Sequence, residues 1–229
     1  MASHGALMST LYRRVAWSLL FSVSFGCAMR DAVPAEASGV RPPAPSLRPS
    51  SDAPLPVDAR GFIRRWLVQE PIAVTGPLTQ SAVEAQLRSA EPADPLRWHA
   101  LDTKGYNFNL YHFAWALSKP TSNVLFWAVT VVEAPSEMHD VRLAIGSNAA
   151  SHWWLNGESV IAIYGDRQTV IDDGVSRRLT LRKGRNVIRA AIVNGGGATD
   201  FCARFLDAAS RPVIGLTVSL PAPSNDDPR

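Results

Sequence analysis

The sequence predicts an all-β protein, an antiparallel β-sandwich with one short helix. Three observations carry the prediction. From Gly61 onward, apolar and polar residues alternate with period two, the repeat of a strand with one covered face. About nine such runs follow one another at short intervals. Turn signals separate them, Asn156-Gly157 foremost, because these residue types accept the positive φ values of a type I′ hairpin turn. A closed barrel shares this local signature and stays open as the alternative.

Taken in order, Phe62 to Val68 places Phe62, Arg64, Trp66 and Val68 on one face and Ile63, Arg65 and Leu67 on the other. Gln80 to Ala90 reads as the one helix: Ser81 and Glu84 fit a capping box, and Val83, Leu87 and Ala90 form a narrow apolar stripe. So small a helix is expected to plug one end or edge of a sheet. Tyr106 to Phe113 is expected as a strand. Val124 to Val132 is apolar enough to be a central one. Val141, Leu143 and Ile145 alternate cleanly. His152 to Leu155 and Ser159 to Tyr164 form the hairpin around Asn156-Gly157, and Val175 to Leu181 and Asn186 to Val193 flank a second tight turn at Arg182 to Arg185. Phe201 to Leu206 and Val213 to Leu220 close the body.

The chain has 229 residues, of which 46% are hydrophobic and 19% charged, enough for one large domain with a sizeable core. That balance excludes global disorder, collagen, a coiled coil and a multispanning membrane protein. The formal charge of +3 includes Arg13 and Arg14, which lie in a segment expected to be removed; without them 21 basic residues face 20 acidic ones. Nothing in that balance suits a nucleic-acid partner.

Arg13 and Arg14 precede an uncharged run, Val15 to Ala28, the pattern of a secretory signal too short to span a bilayer stably. Ser24-Phe25-Gly26-Cys27 resembles a bacterial lipobox, which implies lipid attachment at Cys27; Ser24 departs from the aliphatic residue usual there. Cleavage after Ala37, at Ala35-Glu36-Ala37, is the rival. The expected organisation is a signal over 1–27, a Pro-rich tether over 28–57, a β-sandwich over 58–220 and a frayed tail over 221–229. The chain is therefore expected to be exported to the cell envelope, lipid-anchored at the outer membrane or cell surface, or else soluble and periplasmic or extracellular. Cys202 has only Cys27 as a possible partner, so the fold cannot rest on a disulfide; within Phe201 to Phe205 it reads as a buried strand residue.

Leu143 to Ser147 followed by Trp154-Leu155-Asn156-Gly157 resembles the galactose-binding-like jelly-roll domains, modules related to those of carbohydrate-active enzymes. Leu179 to Ile188, a strand, a Lys-Gly turn and an Asn-led strand, is similar to the same family, as are Phe201 to Asp207 and the opening Trp66-Leu67-Val68. The resemblance spans about residues 61 to 220 and implies a non-catalytic module that binds a carbohydrate or an envelope polymer. Two departures stand out: relatives often carry an Asp pair after the Gly-Ser, where this chain has Asn148-Ala149, and Trp after the Lys-Gly, where it has Arg185.

Sugar recognition needs a flat aromatic face together with convergent amide, carboxylate or guanidinium groups. The candidates are Trp153, Trp154, Asn156, Tyr164, Asp166 and Arg167. Alternation puts Trp153 and Leu155 on one face and His152 and Trp154 on the other, so at least one Trp is expected to be partly exposed. Asp172 and Asp173 are the weak candidates for calcium, which takes six to eight oxygen ligands; otherwise no cofactor is expected. The cations from Arg177 to Arg189 read as a solvated strand face. No HExxH, GxSxG or paired CxxC motif is present, and no enzyme is expected. The partner is a carbohydrate or envelope polymer or, in the alternative of a structural module without a small ligand, another protein. Membrane contact is expected only through the lipid anchor. An exposed aromatic pair beside polar loops would favour the first reading, and a broad apolar or arginine-lined sheet face the second.

Overall fold

The computed structural model describes residues 47–89 and 97–221, all within one unit, Pro42–Arg229. The signal, Cys27, the Ala37 cleavage site, most of the tether and the end of the tail lie outside the described residues. In chain order the elements are β1 (Leu47–Pro49), β2 (Leu55–Pro56), β3 (Arg65–Gln69), β4 (Ile72–Ala73), α1 (Gln80–Ser89), β5 (Trp98–Thr103), β6 (Phe108–Asn109), α2 (Leu110–Ala116), β7 (Val124–Ala134), β8 (Met138–Ser147), β9 (Ala150–Leu155), β10 (Glu158–Ile163), β11 (Gly174–Val175), β12 (Leu179–Leu181), β13 (Gly184–Asn194), β14 (Asp200–Leu206) and β15 (Thr217–Ser219).

These strands form an antiparallel β-sandwich. The larger sheet runs β1-β5-β3-β7-β13-β9-β10, with β4 and β15 also paired to β7 and β2 to β15. The smaller runs β11-β8-β14-β6, with β12 beside β8. An aromatic cluster joins the two layers. Trp66 and Trp153 come from the larger sheet, Phe108 and Phe201 from the smaller, and all four are buried. Phe201 meets Trp66 edge-on at 5.0 Å, and Phe108 stacks on Phe201 at 5.3 Å, the arrangements that ring quadrupoles prefer. Both indoles are satisfied: Trp66 Nε1 donates to Ile63 O and Trp153 Nε1 to Ser151 Oγ.

Strand β7 explains its own apolar run. Phe126, Ala128 and Val132 face the inter-sheet core, while Leu125 and Trp127 face outward beneath α1, so both faces are covered. Here the structure corrects an expectation: α1 packs Val83 and Leu87 across the outer face of the larger sheet and does not plug an end. A second correction concerns Tyr106 to Phe113. Only Phe108–Asn109 is a strand, and Leu110–Ala116 is a second helix. Asn109 Oδ1 caps it by accepting from the His112 amide, and Leu110, Phe113 and Ala114 bury one face at helical spacing.

A third difference lies at the start. Residues 47–57, expected as the end of the tether, are built into the larger sheet through β1 on β5 and β2 on β15. Pro49 and Pro56 are compatible with that because their strands lie at margins, where a missing N–H is tolerated. The intervening residues cover an ion pair: Arg65 and Asp102 stand opposite each other on β3 and β5, buried, with Nε to Oδ1 at 2.8 Å. Ser50 Oγ also donates to Asp102, while Arg65 donates to Ala53 O and Ser51 Oγ. Asp102 sits below the usual carboxylate range; burial pushes it up, but the hydrogen bonds from Arg65 and Ser50 and the Arg65 charge outweigh that.

Candidate functional site

The hairpin β9–β10 has the expected turn, with φ of 51° at Asn156 and 85° at Gly157. Trp153 and Trp154 diverge as alternation requires. Trp153 is buried between the sheets, where it offers no face to the surface. Trp154 lies half-buried on the outer face, where His152 stacks on it at 4.2 Å with ring planes 5° apart. Trp127 lies 5.8 Å from Trp154, and the Arg189 guanidinium is 4.0 Å from the Trp127 ring and 5.7 Å from the Trp154 ring. Trp154 is thus packed among its own neighbours.

The other predicted residues do not converge on it. Asn156 is at the hairpin tip and is structural: its Oδ1 accepts from the Val187 amide at 2.8 Å and its Nδ2 donates to Asn186 Oδ1. Tyr164 follows the far end of β10, and its hydroxyl donates to Glu84 Oε1 on α1 at 3.3 Å. Arg167 pairs with Asp173, and Asp172 with Arg204. The two candidate calcium ligands are therefore held by separate arginines, and among the described residues no group of three acidic, His or Cys side chains is placed to hold a metal.

Asp166 and Arg167 do line a cleft, of about 590 Å³, at the loop end of the sandwich away from the hairpin tip. Three turns distant in sequence build it: Asn148 after β8, Gln168 and Thr169 after β10, and Gly196 to Ala198 between β13 and β14, with Asp200 beside them. Their mutual hydrogen bonds fix the shape. The Asn148 amide donates to Asp200 O at 2.9 Å, and the Ala149 amide to Arg167 O at 3.1 Å. Asn107 Nδ2 donates to Asp200 Oδ2 at 2.9 Å, and Thr169 Oγ1 to Asp200 O at 3.1 Å. Gly146 is needed for the approach of this loop, since a Cβ there would lie 2.2 Å from Val170 O. The place where the resembled domains often carry an Asp pair is thus at the cleft, with an amide and a methyl in its stead.

Two lining residues hold unused polar atoms. Asn148 Oδ1 and Arg167 Nε are both buried and have no hydrogen-bond partner. One accepts and the other donates, and such atoms are costly to leave unmatched. Asp166 and Gln168 stand exposed at the rim.

The opposite end has a second cavity of about 510 Å³, reached by Arg177, Arg178 and Arg182 of the basic run. Two of its cations are paired: Arg177 with Glu158, and Arg178 with Asp140 at 3.6 Å. The solvated-face reading suits these cations.

Two chemical groups bear on catalysis. His152 Nε2 is 2.7 Å from Ser159 Oγ, but His152 Nδ1 has no partner, so the carboxylate that orients the base in a triad is missing. Burial also holds the His152 pKa below its ordinary value. Cys202 is buried, and burial pushes its thiol up to about 12, which leaves no thiolate for nucleophilic chemistry at neutral pH.

Sequence reasoning missed Tyr111 and Trp115. They sit one turn apart on α2, 37% and 52% exposed. The helix begins at the cleft's own loop, with the Leu110 and Tyr111 amides both donating to Thr199 O. The signal for it was present: Asn109 as cap, then apolar residues at 110, 113 and 114. An exposed aromatic pair therefore does stand beside polar loops, at a different place from the one expected.

No family model matches the chain, and no curated protein matches it. Among solved structures it is similar to a PA14 sugar-binding domain from an RTX adhesin, at 14% identity over 69% of this chain and 100% of that one, with a TM-score of 0.49. It is similar to the PA14 domain of the antifreeze protein MpAFP, at 11% identity over 78% and 98%, TM-score 0.44. A family 35 carbohydrate-binding module from Clostridium thermocellum aligns at 14% identity over 69% and 100%, TM-score 0.30. None of the three reaches a TM-score of 0.5, and no residue's role is carried over from them.

Proposed function

We infer that the chain is a non-catalytic carbohydrate-binding module, exported and held at the cell envelope by lipid on Cys27. The observation that carries the binding part is the pair of unused polar atoms on residues lining the loop cleft. One is an acceptor and the other a donor, the two roles that sugar hydroxyls answer, and both belong to residues that line the cleft. Asp166, Gln168 and the Gly196–Gly197 backbone supply further partners at an open rim, the mixture that polyol recognition uses. The unoriented His152 and the buried Cys202 support a binding role over a hydrolytic one.

The test is a glycan array and polysaccharide pull-down with the full chain, with and without calcium. Specific binding lost in both Asp166→Ala and Gln168→Ala, with an unchanged thermal melt, is expected; both side chains are exposed and neither holds the fold. Binding is expected to be indifferent to calcium, because Asp172 and Asp173 are engaged by arginines. Absence of binding to any glycan overturns the reading and turns the search to a protein partner. Export and anchoring are tested separately, by incorporation of labelled palmitate in the native chain and its loss in Cys27→Ser.

A further inference from the structure

Helix α2 departs from what a surface helix of a folded domain ordinarily shows. Its inward residues Leu110, Phe113 and Ala114 are buried, yet its outward positions carry Tyr111, Trp115 and Ala116, with no charged group among its seven residues. Outward positions are normally polar, and exposing a Tyr and a Trp side by side forgoes burial that the other tryptophans of the body obtain. Among the described residues Trp115 is the most exposed tryptophan. Residues at i and i+4 stand next to each other on a helix, with their backbone positions displaced by about 6 Å along the axis. A further polar atom lies within this group: His112 Nδ1 is buried and without a partner, and its ring is 6.1 Å from that of Tyr111.

This surface is continuous with the cleft. Thr199 O receives the first two amides of α2, and the residues on either side of Thr199 line the cleft. The segment after the helix returns to the same loop, with Asn194 Nδ2 donating to Thr121 O and the Asn123 amide to Gly195 O. Loop 195–199 is therefore flanked by a polar cleft and by an uncharged aromatic step about one ring long.

We propose that Tyr111 and Trp115 form a stacking subsite for a second and third sugar unit, so that the module grips an uncharged oligosaccharide chain along its length and not a single terminal residue. The apolar C–H face of a pyranose matches the flat faces of the two rings, while the hydroxyls of the first unit engage the cleft. The helix itself carries no Lys, Arg, Asp or Glu, so the aromatic step suits the uncharged face of a sugar and supplies no ion pair of its own to a carboxylated one. The proposal rests on the carbohydrate reading above and deepens it.

The test is calorimetric titration of the full chain with cello-, xylo- and galacto-oligosaccharides of one to six units. The expected result is affinity that rises with length over the first few units. Trp115→Ala removes about tenfold from the long chains and leaves the single sugar within about twofold, whereas Trp115→Phe keeps most of the gain. Asp166→Ala lowers affinity at every length. Equal binding of every length by native protein and Trp115→Ala overturns the proposal while the cleft reading stands. If no oligosaccharide binds, both fall. If instead sedimentation shows a dimer that Trp115→Ala dissociates, the proposal falls while the cleft reading stands, and the α2 face is a contact between copies of this chain. Far-UV circular dichroism of each variant confirms that the fold is intact.

Discussion

Between the sheets, Trp66, Trp153, Phe108 and Phe201 bury their rings against one another, and on α2 Tyr111 and Trp115 stand in solvent one turn apart. The first group has every polar atom of its indoles matched within the chain and sits where two layers must be held together. The second touches the loop that shapes the cleft and keeps 37% of Tyr111 and 52% of Trp115 exposed. Aromatic residues in the same small domain thus stand at opposite extremes: removed from water in one place, and left partly in it in the other. Residue type alone does not separate the two roles. What separates them is the position of the next layer.

The largest expected effect comes from the buried group. Trp153→Ala should lower the unfolding free energy by about 3–5 kcal/mol and the melting temperature by roughly 10 °C, read by denaturant and thermal melts. A loss below about 1 kcal/mol would break the comparison, because the inter-sheet cluster would then not be what holds the layers. Next comes the ion pair under the N-terminal strap. Asp102→Ala leaves the Arg65 charge buried and uncompensated and should cost about 3 kcal/mol; the double variant Arg65→Met with Asp102→Leu should recover most of it. The same pair sets a pH dependence. The folded Asp102 pKa lies below the unfolded one, so its stabilisation is present above about pH 3.9 and is lost as pH falls through the lower folded value. Asp102→Asn should flatten the stability curve in that acid window.

A smaller effect belongs to His152. Burial, its largest influence, depresses the folded pKa, and the Glu84 charge offsets this only in part. Its contribution is therefore intact above the unfolded value near pH 6.5 and declines as pH drops from there toward the folded value. His152→Gln should make that decline shallower; an unchanged slope would mean that the stack on Trp154 does not exclude the proton. The smallest effect sharpens the comparison from its other side. Trp115→Ala should shift stability by no more than about 0.5 kcal/mol, and a larger loss would place Trp115 with the buried group.

Much of the fold was legible because period two repeats wherever one sheet face is covered, and the run of β7 because both its faces are. The Asn156-Gly157 turn was legible from local stereochemistry alone. Helix α2 was not, since a seven-residue helix shows barely two turns of its period and Tyr106 to Phe113 also satisfies an alternating pattern. Strands β1 and β2 were hidden by prolines, which mark a tether in sequence but are equally at home on a sheet margin. At the site, alternation told Trp153 from Trp154 but not which face had another layer above it. The cleft could not be read at all. Asn148, Arg167, Gly196 and Asp200 belong to separate turns, and only the closing of β8, β10, β13 and β14 into two layers brings them to one place.

The N-terminal strap gives the molecule a load path. A pull arriving from the residues before Leu47 meets the ladder of β1 on β5 first. It next meets the grip of Arg65 on Ala53 and Ser51, and then β2 on β15, each a separate fastening of modest strength. The first of these fastenings lies at the β1 margin of the larger sheet, and the others reach it at β3 and, through β15, at β7, whereas Asn148 and Asp166 adjoin the strands β9 and β10 at the opposite margin. Tension applied ahead of Leu47 would first peel a few residues of edge strand, on the side of the sheet away from the loops, so the strap has the geometry of a strain relief for the cleft.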